Sequence, residues 1–270
     1  MTTKIYTLLL IVSALFLSCK TQQSQTKASL PKIENQFKGE LDYAKGGFEL
    51  VQWQNSGDEI VLGKIDEKGI VHLNLPEYDI KALGKNHMNS HFESQFNMLI
   101  CKDKGEVDMT GKPLFKTPYD DVYSQLYPPM YVKKYDAFVA YVSIVSDEEM
   151  LIKENFDENI GNRYYWIYVD RAFSYKEKCI RGYSYYDDRE IERSADIQFK
   201  KGWNLVKSSV LELQQYGENN KHTIPKKILF TLSSQTSKDV KWYLERVMED
   251  EKIQGAKKEY ELEASKSNTN

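Results

Sequence analysis

The run Asp136-Ala137-Phe138-Val139-Ala140-Tyr141-Val142-Ser143-Ile144-Val145 constrains the fold more than any other stretch. It is rich in β-branched and aromatic side chains, which suit a pleated and half-buried backbone. The same texture recurs at residues 48–53, 59–65 and 70–75, and again at 96–101, 164–169 and within 172–186. Turn clusters punctuate it: Asn55-Ser56-Gly57-Asp58, Asp66-Glu67-Lys68-Gly69 and Lys200-Lys201-Gly202. Asp196-Ile197-Gln198-Phe199 and Trp203-Asn204-Leu205-Val206 flank the last cluster and read as its hairpin. Strands joined by short turns pair antiparallel, so the expected class is mainly β, with a β-sandwich as the simplest packing.

The amino-terminal end bears on location. Lys4 precedes an apolar run over residues 5–17, which Ser18-Cys19 closes. This is the layout of a secretory signal, and the run is shorter than the ~20 residues a helix needs to cross a bilayer core. Leu15-Phe16-Leu17-Ser18-Cys19 resembles the lipobox of bacterial lipoproteins. That resemblance implies cleavage before Cys19, a diacylglyceryl group on its thiol and a fatty acid such as palmitate on the new amino terminus. Each buried CH2 then adds about 0.8 kcal/mol to membrane attachment. The resemblance also implies an outer-membrane lipoprotein, because Lys20 rather than Asp follows the cysteine, and a periplasmic face, because no acidic run follows.

The expected organisation is a signal at 1–18, a polar tether at 19–36, an amino-terminal β-sandwich-like domain at 37–118, a second β-rich domain at 119–236 and a charged helical tail at 237–270. Val240, Tyr243, Val247 and Tyr260 recur at roughly helical spacing, and Thr236-x-x-Asp239 is a loose capping box. The stretch Gly63-Lys64-Ile65-Asp66-Glu67-Lys68-Gly69-Ile70-Val71-His72-Leu73-Asn74-Leu75-Pro76 resembles a hairpin of immunoglobulin-like or transthyretin-like β-sandwich modules in secreted bacterial proteins, which are usually adhesive or spacer domains. Residues 136–243, and above all Lys201-Gly202-Trp203-Asn204, resemble the carboxy-terminal half of uncharacterised envelope lipoproteins of Bacteroidota. No activity comes over to any residue from that resemblance.

The formal net charge of −3, or −4 without Lys4, gives no basic stripe to neutralise phosphates and no nucleic-acid partner. The membrane, through the anchor, is the expected partner, with another envelope protein or a glycan left open. Besides Cys19 the chain has Cys101 and Cys179. An oxidising compartment allows them to pair, and the alternative is two buried thiols beside Ile100 and Ile180.

Neither a catalytic set nor a cofactor site emerges. His87 and His91 are four apart, but Met88 stands where a zinc protease needs its base, and Gly84, Asn86 and Asn89 oppose a helix. Asp147-Glu148-Glu149 and Asp157-Glu158-Asn159 lack the spacing and glycine of a calcium loop, and Asp187-Asp188-Arg189-Glu190 reads as a hairpin tip. A hydrolase with a dispersed acidic site remains an alternative. So does a glycan-binding lipoprotein of an uptake system, with Tyr164, Tyr165, Trp166 and Tyr185 as its platform. The competing reading of those aromatics is ordinary alternation between a core and a strand surface.

Overall fold

Nine residues of the apolar run become one strand, Ala137–Val145, in which Val142 to Val145 are all buried. Both faces are covered there, which is why the run is nearly continuous rather than alternating. The computed structural model describes residues 30–42, 44–53, 59–77, 122, 124–126, 130–151, 159–182, 190–216 and 222–267. Among them are β1 (Phe48–Trp53), β2 (Glu59–Ile65), β3 (Val71–Leu73), β4 (Ser124–Leu126), β5 (Met130–Lys134) and β6 (Ala137–Val145). Then come β7 (Gly161–Val169), β8 (Phe173–Gly182), β9 (Glu190–Phe199), β10 (Gly202–Tyr216), β11 (His222–Ser233), β12 (Lys241–Arg246) and the helix α1 (Asp250–Ser267). The chain is mainly β with a carboxy-terminal helix. The strand expected at 96–101 and a short helix expected at 80–83 lie outside the described residues.

Hydrogen bonding links these strands in the order β3-β2-β1-β5-β6-β7-β10-β11-β9-β8, with β12 on β6 and β4 on β7. The link between the two halves is thin: β6 and β7 meet at a single pair, Val145 and Arg163. Packing makes up the difference. Alternation along β7 sends Tyr164 and Trp166 to one buried cluster and Ile167 and Val169 to another. β10 does the same with Trp203 and Leu205 on one side and Val206 on the other. These two strands are therefore a wall between two cores. The first core is closed by β1, β2, β5, β6 and β12, and the second by β8, β9 and β11. The result is sandwich-like although its strands are linked into one sheet.

Four expectations change. Strand pairing crosses the boundary drawn at residue 118, because β1 pairs with β5 through Leu50 and Val132, both fully buried. The tether stops short of residue 36. Ile33 is buried and bridges Trp242, while the Asn35 amide donates to the Leu244 carbonyl and accepts from its N–H. The helical tail does not start at Ser237. Residues 241–246 are a strand in which Trp242, Tyr243 and Leu244 are buried, and the helix begins at Asp250. The helical spacing of Val240, Tyr243 and Val247 competes with the short apolar run Trp242-Tyr243-Leu244, which suits a strand covered on both faces, and pairing with β6 decides it.

The fourth change concerns Lys200-Lys201-Gly202. β9 pairs with β8 and β11, never with β10, and β11 lies between them parallel to β9. Phe199 and Val206 share the second core, so the segment is a corner over that core rather than a hairpin. Asn204 fastens it. Its buried amide accepts from the Lys200 N–H at 3.0 Å and donates to the Lys200 and Gly202 carbonyls, both at 2.8 Å. Gly202 takes φ +93°, where a side chain is strained. Trp203 donates its indole N–H to the Pro76 carbonyl and meets Tyr168 edge to face.

Candidate binding cleft

Three turns and one helix side chain meet at an end of the β1–β2–β5 layer. They enclose an open cleft of about 1020 Å³. Its walls are the Gly46-Gly47 turn before β1, Asp66 and His72 around the β2–β3 turn, the Tyr135-Asp136 tip between β5 and β6, and Tyr260 from α1.

The two glycine positions allow the strands to come this close. A Cβ on Gly47, at φ +68°, would lie 2.4 Å from the Ile65 carbonyl oxygen. On Gly63 it would lie 2.1 Å from that of His72. No other residue fits at either place without moving backbone.

The hairpin tip is strained. Tyr135 and Asp136 have φ of 52° and 60°, and among the described residues they are the only non-glycines with positive φ. A two-residue turn of this kind is normally Asn-Gly, and a bulky residue there costs on the order of 1–3 kcal/mol. Side-chain contacts offset that cost. Lys134 Nζ and Lys257 Nζ lie 5.4 and 5.6 Å from the Tyr135 ring centre, and the Tyr260 ring is 6.2 Å away. Asp136 reaches Lys133 at 2.7 Å, and Lys133 also holds Glu59 at 3.0 Å. Hydrogen bonds to Asp136 and then Glu59 raise the Lys133 ammonium above its usual value. Lys134 is buried. Its ammonium donates to the Lys45 carbonyl at 2.9 Å and sits 4.8 Å over the Phe48 ring, which together make a desolvated charge tolerable.

Asp66 organises the neighbouring turn. It accepts from the Lys68 and Ile70 N–H groups at 2.9 Å and lies 3.0 Å from His72 Nε2. The contact with His72, then the Ile70 N–H, hold its carboxyl at about 2. A depressed folded pKa contributes stability above the unfolded value near 3.8, lost as pH falls through about 2. Between those limits, unfolding of the native chain should take up about one proton more than unfolding of Asp66→Asn. Denaturant titrations from pH 5 downward test this, and equal slopes for the two proteins would refute the assignment.

The charges lining the cleft balance. Lys45, Lys64, Lys133 and Lys134 face Glu49, Asp66, Glu67 and Asp136. Its described lining contains no serine, threonine or cysteine nucleophile beside His72. The arrangement offers hydrogen bonds and aromatic surface and is suited to holding a ligand.

The residues singled out by sequence fall elsewhere. Tyr164 is no platform: it is buried in the first core, where its hydroxyl donates to Asp239 at 2.7 Å. Burial first, and then that bond, raise its pKa, while the Ser237 hydroxyl and Tyr164 lower that of Asp239. Trp166 is half-buried against the same core and Tyr165 points to the opposite face. These three therefore do not make one exposed surface, and Tyr185 lies outside the described residues. Cys179 is half-buried against the second core and is disulfide-bonded, while Cys19 and Cys101 lie outside the described residues. So do His87 and His91. Asp147 caps a short turn, accepting from the Glu149 N–H at 3.1 Å and the Ser146 hydroxyl at 2.8 Å. Among the described residues no group of three or more His, Cys, Asp or Glu is placed to hold a metal.

Compared with protein-family models, curated proteins and solved structures, the chain matches none.

Proposed function

We propose that this protein is a lipid-anchored component of the bacterial cell envelope, held at the periplasmic face of the outer membrane through Cys19, whose β body binds a partner rather than catalysing a reaction. The observation that carries the reading is the disulfide at Cys179. Such bonds persist in oxidising compartments outside the cytosol, which agrees with the export signal ahead of Cys19. A Cys19 sulfur committed to a lipid thioether is unavailable for pairing. On this reading Cys101 is the partner of Cys179.

The anchor is tested by growing cells with a fatty-acid probe and fractionating them. Wild-type protein is expected to label and to sediment with outer membrane, and Cys19→Ala to lose both properties. An unlabelled, freely soluble wild-type protein would refute the proposal. Non-reducing peptide mapping of the same material should return a Cys101–Cys179 cross-link, and a Cys19–Cys179 peptide would exclude thioether lipidation of that cysteine.

A further inference from the structure

We propose that the cleft between the Tyr135-Asp136 tip and helix α1 binds a neutral saccharide. This rests on the binding role proposed above but not on the lipid anchor. The charge pattern selects the ligand class. Four lysines and four acidic residues line the cleft; the buried Lys134 ammonium is already held by the Lys45 carbonyl, Lys133 is tied to Asp136, and Asp66 is tied to His72. A ligand with net charge gains from one set and is repelled by the other. A hydroxyl both donates and accepts, so a ring carrying several hydroxyls can use ammonium and carboxylate groups alike.

Aromatic surface supplies the second element. Tyr260 stands in the wall 51% exposed, held at one side by Tyr135 at a tilt of 52°. Val61, 53% exposed, adds an apolar patch. Exposed aromatic and aliphatic groups of this kind pack against the C–H face of a pyranose, while the phenolic hydroxyl stays wet.

Shape supplies the third. A volume of about 1020 Å³ lies at the upper end of the range for small-molecule sites and takes more than one sugar ring. The cleft is also set before any ligand arrives. Gly47 and Gly63 fix the strand approach, and the Tyr135-Asp136 tip stays in a costly conformation that its side-chain contacts retain.

The test is calorimetric titration of the purified full chain with maltohexaose, cellohexaose and chitohexaose, with hexagalacturonate as the charged comparator. At least one neutral probe is expected to bind with little dependence on salt. Tyr260→Ala should weaken it about tenfold or more while the chain still melts cooperatively, since that ring is half-exposed and its contact with Tyr135 is only one of those that hold the tip. Tyr135→Asn, which tolerates positive φ, should weaken it as well. The proposal is overturned if no neutral probe binds, if binding ignores both substitutions, or if hexagalacturonate binds better and is released by salt. Cys19→Ala run through the same titrations should bind as wild type, so a failed anchor and a failed ligand assignment give different results.

Discussion

Trp242→Ala should destabilise the protein by about 3–5 kcal/mol, the usual cost of emptying a fully enclosed indole site. For a body of this size that is a fall in Tm of about 6–20 °C. Trp242 is 1% exposed and belongs to the first core, with Ile144 opposite it on β6 and Ile33 bridging its other side. Its carbonyl also accepts from the Glu34 N–H at 2.8 Å. Truncation opens a void where the entering chain, β6 and β12 meet. Among the described residues its indole N–H has no hydrogen-bond partner. Trp242→Phe therefore loses volume but no polar contact and should cost well under half as much. Denaturant melts of the two variants decide the matter. An alanine cost below about 1 kcal/mol, or equal costs for both, would mean that β12 is not seated in the core.

That residue also shows where the sequence was ambiguous. Val240, Tyr243 and Val247 carry a helical spacing, while Trp242-Tyr243-Leu244 is a short continuous apolar run that suits a strand covered on both faces, within the same few positions. Period alone cannot choose over so short a run, and the choice is made by β6, about a hundred residues earlier in the chain. By contrast, strands β1, β2 and β6 are legible because runs rich in β-branched and aromatic residues stand between turn signals. β11 was not. Pro225 and the Lys226-Lys227 pair break its alternation, and it is held by β10 on one side and by a parallel register with β9 on the other.

The cleft was less legible still. Its makers are Gly46-Gly47, Asp66, His72, Tyr135-Asp136 and Tyr260, which are spread over more than two hundred residues. In the sequence Asp66-Glu67-Lys68-Gly69 reads as a turn, His72 as part of a hairpin strand, Asp136 as the head of an apolar run and Tyr260 as a helical position, and none of them as part of a site. The one local clue to the tip is that a two-residue gap joins two β-like runs without Asn or Gly, a mismatch between turn type and turn residue that marks stored strain. Tyr164 misled for the opposite reason. Clustered aromatics look like a surface in one dimension, yet successive side chains of a strand take opposite faces, so Tyr164 and Trp166 pack into the first core while Tyr165 turns away from it.

Asn204→Ala should cost about 2–3 kcal/mol, since it removes three hydrogen bonds that close the β9–β10 corner and each contributes roughly 1 kcal/mol net. Asn204→Asp is the sharper test. The carboxylate can still accept from the Lys200 N–H, but it has no hydrogens to give the Lys200 and Gly202 carbonyls. Burial beside two carbonyl oxygens should hold its folded pKa above the unfolded value. A raised folded pKa in an acid means that the penalty is full above that pKa and vanishes below the unfolded value near 3.9. At pH 7 the aspartate variant should therefore be less stable than the alanine variant, and it should regain ground on it as pH falls toward 4. Paired denaturant titrations at pH 7, 5.5 and 4.5 measure the difference. If the aspartate variant matches wild type at pH 7, or loses ground to alanine on acidification, the amide does not fasten this corner. The Lys-Gly-Trp-Asn sequence would then need another physical reason for its order: a glycine for the positive φ, an indole tied to Pro76 and an amide that closes the turn would no longer explain it.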